Sequence, residues 1–395
     1  ARVVSPVAGS DDMDDVPGIE MTESLRNHLD LAAPGVRGLR PYEPGKPLSE
    51  LEREYGICDA VKLASNENPL GASPLAIEAA MAAATDLARY PDGGGFALTR
   101  ALARKHGVDP QAVTLGNGSN DVLEMVARAF LGPGYEAVFS AHAFAVYPIV
   151  TQAVGATARV AQATDGQSGQ PYAHDLEAMA ALVGAATRVV FLANPNNPTG
   201  TWLQAEDLER FISSMPGHVL VVVDEAYFEY VSAPEYPNCI PWIAQHPNLI
   251  VTRTFSKAYG LAGLRVGYGV SRPEVADLLN RVRQPFNVNM IAQAAALAAL
   301  EDAAHLHEGI RINREGMAQL TNAFARMGLS WIESAGNFVC VDVGRPAAAV
   351  YEDLLRAGVI VRPVASYGLP QHLRITVGLP AENARLIAAL EKVLG

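Results

Sequence analysis

Cysteine is scarce in this chain of 395 residues, and its three copies lie far apart. Cys58, Cys239 and Cys340 form no C-x-x-C pair, which argues against a disulfide framework and a cysteine zinc site. This usage fits a reducing, cytoplasmic setting. Histidine supplies no metal site either. His305 and His307 are the closest pair, and their spacing is wrong for ligands on one helix face. Basic blocks are missing as well: 30 Lys and Arg face 42 Asp and Glu, for a net charge of -12. A nucleic-acid binder needs a clustered positive face, so none is expected. No run of about 18 apolar residues occurs, so no membrane span is expected. Residues 1–20 hold Asp11, Asp12, Asp14 and Asp15 and no apolar stretch. They do not read as a signal peptide. They are expected to be a disordered leader or cloning remnant, with Met21 a plausible native start.

What is present is globular. Hydrophobic residues make up 49% and charged residues 18%, enough for a large core and more than one domain. Residues 21–64, rich in Pro and Gly over Pro34–Pro47, read as an arm across a dimer, joined to part of a smaller domain. From Val113 an alternation sets in. Apolar runs at Val113–Leu115, Ala137–Phe139, Ala156–Val160, Arg188–Ala193, 219–227 and Leu249–Val251 read as strands, with helical stretches in most of the gaps. Near-continuous apolar strands belong to a sheet covered on both faces, and strand–helix–strand spacing makes it largely parallel. After Pro285 helices at Met290–Leu300 and Leu306–Met327 precede shorter strands at Phe338–Val341, Val359–Val361 and 373–378, then a closing helix. The expectation is an α/β fold with a large domain over 65–288 and a smaller α+β domain over 289–395.

Four loops at strand ends carry the chemistry. Gly116-Asn117-Gly118-Ser119-Asn120-Asp121 opens a helix and can turn backbone N–H groups and Ser119 toward an anion. In Asn194-Pro195-Asn196-Asn197-Pro198-Thr199-Gly200 the prolines constrain the backbone around the amide of Asn197. Asp224-Glu225-Ala226-Tyr227 closes an apolar strand with a carboxylate that is costly to bury without a cation. The stretch 252–268, TRTFSKAYGLAGLRVGY, offers an amine at Lys257, hydroxyls at Thr254 and Ser256, and a guanidinium at Arg265. Each loop alone is ordinary turn or cap chemistry. Together they supply what pyridoxal 5′-phosphate requires: an imine anchor, a partner for its ring nitrogen, donors for its phenolic oxygen and a phosphate cup.

With SNENPLG (65–71), RYPDGG (89–94), DEAYFEY (224–230) and LRITVG (373–378), these motifs make the chain resemble the fold-type I pyridoxal-phosphate aminotransferases. More narrowly it resembles the histidinol-phosphate aminotransferases. The resemblance implies a seven-stranded type of sheet and a homodimer with shared sites. It makes Lys257 the anchor and proton carrier, Asp224 the partner of the ring nitrogen, and Asn197 and Tyr227 the holders of the phenolic oxygen. Gly118, Ser119, Asn120, Thr254, Ser256 and Arg265 surround the phosphate, and Phe144 stacks on the ring. Tyr90 reaches the phosphate of the neighbouring subunit. Arg374 binds the anionic group of the substrate, Tyr42 touches substrate from the partner subunit, and Asn337 lies near the carboxylate site. The implied reaction moves an amino group between histidinol phosphate and 2-oxoglutarate. An aromatic amino-acid aminotransferase and a related phosphate-substrate decarboxylase remain alternatives. A non-catalytic regulator is disfavoured, since no DNA-binding module is evident.

Overall fold

The structure, a computed structural model, describes residues 28–42, 44–167 and 169–395. The expected leader over 1–20 lies outside these residues, as does Met21. The strands along the chain are β1 (Val61–Lys62), β2 (Val113–Gly116), β3 (Glu136–Ser140), β4 (Thr157–Ala161), β5 (Thr187–Ala193), β6 (Leu220–Asp224), β7 (Leu249–Thr254), β8 (Gly267–Val270), β9 (Ser330–Ile332), β10 (Phe338–Asp342), β11 (Val359–Ile360), β12 (Arg362–Val364) and β13 (Leu369–Thr376).

Seven of them form the central sheet, in the order β2-β8-β7-β6-β5-β3-β4. The pairs from β7 through β4 are parallel, while β8 runs antiparallel to both β7 and β2. Side chains alternate across the sheet and feed two cores. Val190, Leu192, Val221, Val223 and Val251 pack on one face. Val189, Phe191, Val222 and Ile250 pack on the other. Each such side chain contributes about 1.5–3 kcal/mol on full burial, so the runs read in the sequence are what the two-faced sheet demands.

Strand β8 escaped the sequence reading, because Gly-Tyr-Gly-Val looks like a turn. Its glycines are there for a close approach: a Cβ on Gly267 would stand 2.4 Å from the backbone nitrogen of Ser119. The helix Ser119–Phe130 therefore crosses β8 almost in backbone contact. The run 219–227 is also shorter than expected. It ends as a strand at Asp224, and a 3-10 turn follows over Phe228–Tyr230. The reason is polar: Glu225 turns to accept from the Cys239 N–H at 3.0 Å and from Arg253.

The smaller domain is built on an antiparallel sheet, β12-β13-β10-β9, and a parallel pair, β1 with β11. Val359–Val361 was expected as one strand. It divides, because Val359 and Ile360 pair with Val61 and Lys62 while Arg362 pairs with Arg374 across the other sheet. Val339, Val341, Leu373 and Ile375 pack with Leu320, Phe324 and Leu386 from the covering helices.

The arm touches its own chain at a short helix. Helix Pro34–Arg37 meets helix Val146–Ala153, with Gln152 Nε2 donating to the Gly35 carbonyl at 3.1 Å. A Cβ on Gly35 would stand 2.0 Å from the Gln152 carbonyl oxygen, so only glycine allows this docking. Strands β5, β6 and β7 all end at the same edge of the sheet, and the site sits there.

Candidate active site

A cavity of about 540 Å³ opens at that edge. Ser119, Asn120, Phe144, Asn197, Asp224, Tyr227, Thr254, Ser256, Lys257, Arg265, Arg374 and Tyr42 all line it. Residues separated by up to 332 positions are thus brought together by the ends of β2, β3, β5, β6 and β7, by β13 and by the arm.

Asp224 terminates β6, the innermost strand of the sheet. Thr252 Oγ1 donates to its Oδ1 at 3.0 Å, and Tyr147 Oη donates to its Oδ2 at 3.1 Å. Burial drives its pKa up from 3.8 to about 6, and the two hydroxyls resist that rise. The expected cation partner goes next door. Arg253 pairs with Glu225 at 2.6 Å, deep in the core, and no ion pair involves Asp224 among the described residues. A buried carboxylate facing a cavity without a cation is poised to receive one. Tyr147 is itself fully buried and stacks on Phe191 at 4.9 Å, which fixes its ring.

Lys257 follows β7. Its Nζ donates to the Ser65 carbonyl at 3.1 Å and stands 5.8 Å from the Tyr227 ring centre. Burial lowers its pKa from 10.5 to about 7, and the positive charges of Arg374 and Arg265 push it the same way. A large fraction of this amine is therefore neutral at neutral pH, as a nucleophile or base must be. Tyr227 accepts a hydrogen bond from Asn66 Nδ2 at 2.9 Å. Burial raises its pKa to about 12, so the phenol keeps its proton and can donate it.

The anion-binding end of the cavity begins where helix Ser119–Phe130 starts. Gly118, at φ 80°, precedes it, and no side chain caps the first turn. The helix N-terminus thus keeps its backbone donors. Gly118 has no side chain to add, but one there would meet Arg265 at 2.5 Å, so the glycine admits the guanidinium. Arg265 Nη1 donates to Ser256 Oγ at 3.3 Å, and the Ser256 N–H donates to Thr254 Oγ1 at 3.1 Å. Arg265 holds a φ of 56°, rare for a residue with a side chain.

Arg374 projects from β13. Its two Nη atoms donate to Asn197 Oδ1 and to the Ala64 carbonyl, each at 2.6 Å. Asn197 Oδ1 is thereby occupied and its NH2 is turned elsewhere. Arg374 is buried, its Nε has no partner, and no carboxylate pairs with it among the described residues. A buried guanidinium in that state calls for an anionic ligand.

Of the other expected site residues, Tyr42 lines the cavity of its own chain, while Asn337 and Tyr90 lie outside it. Asn337 is buried behind the site. Its Nδ2 donates to the carbonyls of Asn66 and Glu67 at 3.0 and 3.3 Å, so it holds the turn rather than lining the cavity. Tyr90 is 81% exposed, stacked on Phe286 at 4.7 Å, away from its own cavity. Sequence reasoning missed Tyr147, Thr252, Asn66 and Ser65. Thr252 stood in the quoted stretch and Asn66 in the quoted turn, but their partners lie on other elements. Among the described residues no cluster of metal-ligating side chains forms, and no helix is long and apolar enough to cross a membrane.

Fold and site together set a lysine amine, a buried carboxylate and an uncapped helix N-terminus in one cavity at the edge of a mostly parallel sheet. The family model for aminotransferase class I and II matches residues 59–390. The chain belongs to that family, in its histidinol-phosphate aminotransferase branch. It is 62% identical over 368 residues to histidinol-phosphate aminotransferase 2 of Pseudomonas fluorescens, covering 93% of this chain and 98% of that one. The corresponding protein of Pseudomonas aeruginosa is 60% identical, covering 94% and 99%. Among solved structures, histidinol-phosphate aminotransferase from Sinorhizobium meliloti in complex with pyridoxal-5′-phosphate superposes with a TM-score of 0.83. It is 33% identical and covers 92% of this chain and 97% of that one.

Proposed function

We propose that this chain is a pyridoxal-phosphate-dependent transaminase of histidine biosynthesis, exchanging an amino group between histidinol phosphate and 2-oxoglutarate. The observation that carries the reading is the buried Arg374, without a carboxylate partner, in the same cavity as Lys257 and Asp224. The names of relatives at 60–62% identity support the substrate.

The bound cofactor supplies an electron sink for the pair left on the substrate Cα when its proton departs. The residues do the rest. Asp224, with its two hydroxyl donors, holds a proton at the ring nitrogen. Lys257, its pKa lowered by burial, would anchor the cofactor covalently and, once free, would serve as the base that takes the proton from the substrate Cα. Asn197, through the NH2 that Arg374 leaves free, and Tyr227, through its hydroxyl, donate to the phenolic oxygen. The uncapped helix N-terminus, Ser119, Asn120, Thr254, Ser256 and Arg265 hold the phosphate, and Phe144 covers the ring. Arg374 binds the phosphate of one substrate and a carboxylate of the other, so one fixed cation serves both half-reactions.

The exposed Tyr90 and Phe286, with Met81, Leu87 and Phe96 also exposed, support a homodimer in which Tyr90 completes the partner's phosphate site. The cysteine usage supports a cytoplasmic setting. The test is Arg374→Ala in each half-reaction separately. Loss of a buried charge-assisted pair of hydrogen bonds predicts a fall of roughly 10²–10³ in kcat/KM for both substrates. An effect on one substrate alone contradicts the shared site.

A further inference from the structure

Three consecutive residues, Ala64, Ser65 and Asn66, each touch one functional side chain. The Ala64 carbonyl accepts from Arg374, the Ser65 carbonyl accepts from Lys257, and the Asn66 amide donates to Tyr227. The first two contacts use backbone and leave no choice of side chain. The third depends on the residue. Asn66 is 1% exposed and holds a φ of 54°, the left-handed region that asparagine tolerates better than most residues.

Its amide is oriented from the smaller domain. Thr376, on the same strand as Arg374, accepts from the Asn66 backbone N–H at 2.9 Å and gives its own hydroxyl proton to Asn66 Oδ1 at 3.1 Å. With Oδ1 engaged, the NH2 faces Tyr227 Oη. The phenol oxygen thus accepts from Asn66, and its single proton is left for an acceptor in the cavity.

Resting on the transaminase reading above, we propose that Asn66 is a positioning residue: it aims the Tyr227 proton at the phenolic oxygen of the cofactor, and Thr376 keeps the amide in the orientation that does so. A donor at that oxygen stabilises negative charge there and lowers the proton affinity of the neighbouring Lys257 nitrogen. The charged and titratable groups facing Tyr227 are Asp224 at the end of β6, Lys257 after β7, Arg374 on β13, Tyr367 from the loop between β12 and β13, Tyr147 on helix Val146–Ala153 and Tyr230 in the 3-10 turn after β6. None of them donates to the phenol oxygen among the described hydrogen bonds, so Asn66 alone sets its direction.

The test is a pH titration of the visible absorbance of the lysine-bound cofactor in the holoenzyme, without substrate. Asn66→Gly keeps the left-handed backbone and removes the amide. A net hydrogen bond of about 0.5–1.5 kcal/mol predicts an upward shift of the titration midpoint by about 0.4–1 pH unit. Asn66→Asp, which replaces the donor with an acceptor that captures the phenol proton, shifts it further upward. Thr376→Val leaves Asn66 in place, removes only the orienting hydroxyl, and gives a smaller shift of the same sign. In a Tyr227→Phe background Asn66→Gly adds no shift, because the effect travels through the phenol. An equal shift with and without the Tyr227 hydroxyl, or no shift from Asn66→Gly or Asn66→Asp, overturns the inference. A wild-type protein that binds no pyridoxal phosphate at Lys257 overturns the transaminase reading, and the inference falls with it.

Discussion

Replacing Asp224 by asparagine is expected to move stability and activity in opposite directions. Burial raises the Asp224 pKa from 3.8 to about 6, so the folded chain holds a proton there that the unfolded chain has released. Between those values stability falls as pH rises, because the native state binds more protons. A tenfold change in proton affinity is worth about 1.36 kcal/mol, so the ionised carboxylate costs the cofactor-free fold about 3 kcal/mol at neutral pH. Asparagine removes that cost. It also asks the Thr252 or Tyr147 hydroxyl to turn and accept from the new NH2, a loss of about 1 kcal/mol. The variant without cofactor should therefore be about 2 kcal/mol more stable than wild type near pH 7.5, with no advantage below about pH 4. With cofactor, loss of a buried ionic partner is worth about 3–5 kcal/mol, or roughly 10²–10⁴ in turnover. Thermal unfolding of both cofactor-free proteins from pH 4 to 8, beside half-reaction rates of the loaded proteins, measures both effects. A cofactor-free variant less stable than wild type at pH 7.5 would refute the view of Asp224 as a carboxylate held ready for a cation.

The Lys257 pKa lies at about 7 in the fold against 10.5 ordinarily, so the native chain binds fewer protons over that window and its cofactor-free stability should rise with pH between them. Lys257→Met should remove that rise in an unfolding series and abolish covalent cofactor binding. Arg253→Met strands the fully buried Glu225 and should cost about 3–5 kcal/mol, read by denaturant unfolding, while Arg210→Ala on the exposed Glu206 and Asp207 pairs should change stability by less than about 1 kcal/mol. Tyr90→Ala and Lys257→Ala, each impaired alone, should recover up to about a quarter of wild-type activity when unfolded together and refolded, since a mixed dimer carries one complete site. No recovery in a mixture shown to contain the mixed dimer would deny the shared site.

Much of the fold is legible because its strands need nothing but local pattern. Val221, Val222 and Val223 are buried on alternating faces, and an unbroken apolar run says so in advance. Lys257, Asp224, Asn197 and Arg265 stand in loops with distinctive spacing, and the strand ends bring them to one cavity. What stays hidden depends on partners distant in the chain. Nothing near Tyr147 announces a hydrogen bond to a residue 77 positions away. Asn66 reads as a turn residue, which it is, while its amide answers to Thr376, 310 positions on. The acidic pair Asp224-Glu225 asks for a cation, and only the packing of β7 against β6 shows that Arg253 serves the second and leaves the first alone. The glycines of β8 hide a strand because their meaning lies in the helix pressed against them.

The most direct test of the account is a single-turnover measurement on the loaded enzyme. Histidinol phosphate, glutamate, phenylalanine and tyrosine are each added without an amino acceptor, and the visible absorbance of the lysine-bound cofactor is followed. The account predicts rapid loss of that absorbance with histidinol phosphate and glutamate, its return on adding 2-oxoglutarate, and no such conversion with Lys257→Ala. Faster conversion by phenylalanine or tyrosine than by histidinol phosphate, or release of carbon dioxide in place of amino transfer, would contradict it.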